Sequence, residues 1–122
     1  MKGIDVSAHN GKIDFAKIKK AGIDFVIIRA GFGMFNNQKD KSFEYNYSEA
    51  KKQGLKVGCY HYSYAKNIVE AGNEAMIFLD WIKAKQFDFP VAFDLEDISQ
   101  KNLKKKLKRL IKKLQTRTTL KM

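Results

Sequence analysis

The feature that most restricts this chain is an alternation. Short apolar runs within Gly3–Ser7, Ile23–Arg29, Leu55–Tyr64 and Val91–Asp97 are each followed by a turn signal and a stretch with helical spacing. Strand then helix, repeated, specifies an α/β fold in which right-handed crossovers build a parallel sheet. Phe25-Val26-Ile27-Ile28 is an uninterrupted apolar run, as expected of a parallel strand covered on both faces. In such sheets chemistry collects where the strands end, at their C-terminal rim.

Local signals divide the segments. Gly3 to Ser7 reads as a first strand, with a turn through His9-Asn10-Gly11. Asp14 is a good N-cap, with Ile13 before it and Ile18 at the fourth helical position forming a hydrophobic staple, and Gly22 supplies the stop. A second helix is predicted from near Ser42 to Gln53, with Phe43, Tyr47 and Ala50 on one face and Gly54 ending it. Asn67 with Glu70 resembles a capping box for a third, along which Ala71, Ala75, Phe78 and Ile82 recur at helical spacing. The glycines of Arg29-Ala30-Gly31-Phe32-Gly33 do not make a dinucleotide loop, because Asn36 stands where the third glycine belongs.

The fourth strand carries the chemistry. Val91-Ala92-Phe93-Asp94-Leu95-Glu96 starts apolar and then sets two carboxylates two residues apart, on one face of a strand. Their backbones lie roughly 6.6 Å apart at the rise of a strand, so one charge can raise the pKa of the other acid. A solvated pair, or an N-cap for the following helix, is the alternative for this stretch alone. Arg29, His61 and Tyr62 fall at strand ends as well, and Asp5 in the first strand is placed to point into the same mouth.

The length of 122 residues, 44% of them hydrophobic, suits one domain with a core. No run reaches the roughly 18 apolar residues of a membrane span, and strand-like sequence from Gly3 leaves no room for a signal peptide ahead of it. Cys59, the only cysteine, lies in an apolar strand and reads as a packed thiol. The net charge of +11 is local: residues 101–122 hold ten of the 24 Lys and Arg residues and none of the 13 acids, so the first hundred residues are near neutral.

Five motifs in order, Gly3-Ile-Asp-Val-Ser7, Gly11-Lys-Ile-Asp14, Phe25-Val-Ile-Ile-Arg-Ala30, Gly58-Cys-Tyr-His-Tyr62 and Phe93-Asp-Leu-Glu96, resemble the N-terminal half of the catalytic domain of glycoside hydrolase family 25, lysozymes of the N-acetylmuramidase type. The resemblance implies a parallel (β/α) barrel-type fold, here an incomplete barrel of about four βα units. It also implies hydrolysis of the β-1,4 bond between N-acetylmuramic acid and N-acetylglucosamine in peptidoglycan. Carried over by position, Glu96 matches the general acid, Asp94 its acidic partner and Asp5 the acid of the first strand. Tyr62 is the expected sugar-contacting aromatic, although packing roles for Tyr60, Tyr62 and Tyr64 stay open, and Arg29 joins it as a substrate-binding candidate. His61 matches a family position too, either as a substrate contact or as a hydrogen-bonded structural histidine. No cofactor is implied, and no close-spaced His or Cys pattern supports assembling Asp5, His9, His61, Asp94 and Glu96 into a metal site.

The expected organisation is a partial catalytic domain over residues 1–100 and a basic amphipathic helix with a frayed tail over 101–122, where Leu103, Leu107, Leu110, Ile111 and Leu114 keep helical spacing among Lys and Arg. The later barrel strands are missing from the resemblance, which leaves activity open. A basic helix of this kind suits an anionic cell-wall polymer or a membrane surface, the plainer alternative being the barrel's fourth helix with a truncated or altered end, and open sheet edges suit a homodimer. Nucleic acid is not expected, because aromatics do not interleave with the cations. The expected partner is therefore the peptidoglycan glycan strand, met at the bacterial cell wall after secretion or phage release, and the protein is otherwise cytoplasmic. The alternative is a non-catalytic module that binds cell-wall polymers through the cleft and the cationic tail.

Overall fold

The computed structural model describes residues 1–94 and the backbone of residues 120–121. Its sheet consists of β1 (Gly3–Val6), β2 (Phe25–Phe32), β3 (Lys56–Tyr62), β4 (Val91–Asp94) and β5 (Leu120–Lys121), joined in that order. Every pairing is parallel. Three α-helices occupy the connections: α1 (Phe15–Lys20), α2 (Phe43–Lys52) and α3 (Ile68–Ile82). Strand order follows chain order without the reversal that marks a doubly wound sheet, which is the arrangement of a (β/α) barrel left incomplete.

The local signals act as the sequence predicts, with small differences. The Asp14 side chain accepts from the backbone N–H groups of Ala16 and Lys17, and Gly22 and Gly54 take positive φ where α1 and α2 end. Asn67 accepts from Glu70 N–H, but the Glu70 carboxylate reaches Lys66 N–H, one residue ahead of the cap, so the box closes only on one side. Ala71, Ala75, Phe78 and Ile82 are all buried along α3.

One expectation about the strands fails. β2 is not covered on both faces: its residues alternate between buried and half-buried, with Val26, Ile28 and Ala30 at 0% exposure. Successive side chains of a strand point to opposite faces, and crossovers of one hand put their helices on one side. Val26 and Ile28 therefore meet helices, while Phe25 and Ile27 floor a cleft. Leu120 and Lys121 pair with Val91 and Ala92 of β4. The amphipathic stretch from Leu103 to Leu114 lies outside the described residues, as does Glu96.

The glycines after Arg29 serve packing. β2 runs on through Phe32 with a register shift between Arg29 and Gly31. A Cβ on Gly31 would overlap the Trp81 ring and stand 2.6 Å from the Gln38 carbonyl oxygen. Gly33 takes φ +64 and offers its carbonyl to His61. No helix among the described residues is long and apolar enough to cross a membrane.

Candidate active site

The face of the sheet turned away from the helices forms a cleft of about 610 Å³ lined by β1, β2, β3 and β4. Its floor is apolar. The Phe25 and Phe89 rings meet edge to face at 5.3 Å, and a Cβ on Gly58 would come 2.8 Å from Ile27 Cδ1. The glycine leaves room for Ile27 and Phe89 against β3. Two carboxylates stand in the walls, Asp5 on β1 and Asp94 on β4, with Tyr60 and Tyr62 of β3 between them.

Register explains the convergence. Asp5 pairs with Ile27, which pairs with Gly58, while Tyr62 pairs with Asp94. Residues 58, 60 and 62 share one face of β3, so acids 89 positions apart in sequence open into one space. The half-buried Tyr60 reports their nearness. Burial raises its hydroxyl pKa first, the Arg29 charge opposes that, and Asp5, Asp40 and Asp94 each push it up further. The Tyr62 and Tyr64 rings meet at a tilt with centroids 5.1 Å apart, and Tyr64 meets Phe32 edge to face at 6.0 Å, giving an aromatic margin at the ends of β2 and β3.

His61 sits elsewhere. One step from Tyr60 and Tyr62 it points to the helix-covered side, at 0% exposure among Phe78, Trp81 and Phe93, so it does not join Tyr62 in the cleft. Its Nε2 lies 2.8 Å from the Gly33 carbonyl, which can only accept, so Nε2 carries the proton. Burial lowers its pKa to about 4, with the Gly33 bond opposing and the Arg29 charge adding. At neutral pH the ring is uncharged, so its 4.0 Å approach to Glu74 Oε1 is no ion pair. The same geometry separates it from Asp5 and Asp94 as a joint metal ligand.

Arg29 lies on the cleft side of β2, but its Nε donates to Asp40 at 2.8 Å and its guanidinium lies 5.2 Å from the Phe32 ring centroid. Asp40 went unnoticed in the sequence, although an aspartate two residues before the Ser42 cap is a common turn signal. Glu74 was missed as well. It is buried on α3 and accepts from Tyr64 N–H at 3.0 Å, fixing the segment that follows β3. Burial raises its pKa, against the Ser63 hydroxyl and Tyr64 N–H that favour the charged form.

The profile of the glycosyl hydrolases family 25 matches residues 4–122. The autolytic lysozyme of Clostridium acetobutylicum is 35% identical over 96 residues, 79% of this chain and 28% of that protein. A structure of the modular autolysin LytC of Streptococcus pneumoniae with a synthetic peptidoglycan ligand superposes with a TM-score of 0.69 at 34% identity, over 77% of this chain and 22% of the other. Another structure of that autolysin gives a TM-score of 0.80 at 27% identity, over 97% of this chain and 31% of the other. The chain thus spans less than a third of the length of each of these relatives.

Proposed function

This chain belongs to the glycosyl hydrolases of family 25, and from that premise we propose that it hydrolyses the glycan strand of peptidoglycan, at the β-1,4 bond between N-acetylmuramic acid and N-acetylglucosamine. The observation that carries the reading is the single cleft into which Asp5 and Asp94 both open, with an apolar floor for a sugar ring and tyrosines between the acids. Pockets of this make-up, mostly apolar with a few convergent polar groups, suit small organic ligands. The peptidoglycan ligand held by the similar autolysin agrees with that class of substrate.

Bond cleavage needs an acid that gives a proton to the bridging oxygen as the bond to the sugar carbon lengthens. We assign that role to Glu96, which matches the family's general acid by its place in the Phe93-Asp-Leu-Glu96 motif. It must be protonated when substrate arrives, and the negative charge of Asp94 favours that state. Asp94 and Asp5 then meet the positive charge that builds on the ring, or orient the acetamido group or the water. Tyr62 offers a ring face to the sugar and a hydroxyl to its polar edge. The site of action follows as the bacterial cell wall.

The test is loss of turbidity and the appearance of reducing ends on purified peptidoglycan. Glu96→Gln should abolish both; equal activity in the variant and the parent chain would remove Glu96 from the mechanism. The concentration of cationic residues in 101–122 favours a second reading, a non-catalytic module that holds anionic cell-wall polymers. Binding without cleavage that survives Glu96→Gln and is lost on deletion of residues 101–122 would select it.

A further inference from the structure

Asp40 does not line the cleft, yet its side chain is fully enclosed and both its oxygens are engaged. Oδ2 accepts from Arg29 Nε at 2.8 Å and from Ala8 N–H at 3.1 Å, and Oδ1 accepts from Ser42 N–H at 2.8 Å. A buried carboxylate needs such compensation. What matters is where the donors come from. Ala8 lies two residues past the end of β1, the strand that carries Asp5; Arg29 lies on β2; Ser42 caps α2. One carboxylate thus joins the segment after β1, the strand β2 and the start of α2.

Arg29 is the sensitive member. It pairs in register with Tyr60 on the cleft side, and its charge acts on the same hydroxyl that feels Asp5 and Asp94. An arginine not held elsewhere would be drawn toward those acids, and a cation there lowers the negative potential that a glycosidase cleft uses to keep its acid protonated and to meet positive charge on the sugar.

We propose that Asp40 is a positioning residue for this cleft: its buried carboxylate holds the Arg29 guanidinium against Phe32, keeps that charge off the acids of the cleft, and anchors the connection that leaves Asp5. The proposal rests on the hydrolase reading for its catalytic consequence and on geometry alone for the clamp. Nothing in it requires Asp40 to touch substrate.

The experiment compares Asp40→Asn, Arg29→Met and the double variant in the full chain, with kcat and KM measured separately on soluble glycan fragments. Asp40→Asn should lower kcat about tenfold, the effect of one charge shifting a neighbouring acid by about one pKa unit, with a smaller change in KM. The double variant should recover most of that loss, because the unheld cation is gone. An Asp40 that only supported the fold would give a double variant no better than the single one, and that result would overturn the proposal. A readout independent of turnover is the Cζ resonance of Tyr60 in protein with labelled tyrosine, which Asp40→Asn should move further with Arg29 present than in the Arg29→Met background, where only the lost Asp40 charge acts on it. If the parent chain cleaves no glycan, the hydrolase reading fails by itself, and equal Tyr60 shifts for Asp40→Asn in the parent and Arg29→Met backgrounds would separately reject the clamp. Should Asp40→Asn not fold, Arg29→Lys carries the test, since an ammonium lacks the planar fork of the guanidinium: unchanged kcat and an unmoved Tyr60 resonance would overturn the proposal.

Discussion

Replacing His61 with glutamine should flatten the acid side of the stability curve. The unfolded histidine takes its proton near pH 6.5, whereas the folded ring, enclosed by Phe78, Trp81 and Phe93, takes one only near pH 4. Between those values the unfolded chain binds more protons, so stability contributed by the neutral ring is fully present above pH 6.5 and is lost as pH falls toward 4. At 1.36 kcal/mol per unit, moving from pH 7.5 to pH 4.5 removes about 2–3 kcal/mol through this one group. Glutamine keeps an N–H for the Gly33 carbonyl and does not titrate. Glu74 titrates in the opposite sense beside it, and comparing parent and variant at each pH removes its shared contribution. Urea melts followed by circular dichroism at the two pH values give the answer: with slopes of about 1–3 kcal/mol/M, the parent midpoint should fall by about 1–3 M more than that of the variant. Equal falls in midpoint for the two proteins would mean that His61 is not held neutral by this pocket.

Other outcomes follow from single contacts. Glu74→Gln should gain stability relative to the parent as pH rises from about 4.5 through neutrality, since a buried acid with a raised pKa stabilises the fold only while protonated; parallel melting curves across that range would contradict its burial. Gly31→Ala should cost about 1–3 kcal/mol by forcing a methyl into the Trp81 ring and the Gln38 carbonyl, read as a lower melting temperature, and an unchanged value would deny the close packing. The Cys59 thiol, 1% exposed and pushed well above its ordinary pKa by burial, should react with an aromatic disulfide reagent only on unfolding; rapid reaction of the native protein would show an open β3.

Much of the scaffold is legible in the chain because it depends on near neighbours. The Asp14 cap acts over three residues, the stops at Gly22 and Gly54 lie in one backbone torsion each, and the stripe from Ala71 to Ile82 follows the helical repeat. The cleft was legible to the extent that period two puts Asp5, Tyr62 and Asp94 on predictable faces. His61 was assigned to strand β3 but not to its helix-covered face, since motif position says nothing about which way a single residue turns. Asp40 was invisible because its partners Ala8, Arg29 and Ser42 meet only through the fold.

By itself the sequence determined that strands alternate with helices in a parallel α/β chain, and its ordered motifs pointed to one hydrolase family. Both are written in local pattern: apolar period, caps, and residue types at fixed spacing. Only the tertiary structure decided that the helices lie on one side, that the opposite face is an open cleft with Phe25 and Ile27 in its floor, and that Arg29 is claimed by Asp40. Those facts turn on which distant residues share a register and a face, and no stretch of chain holds that information until the sheet has assembled.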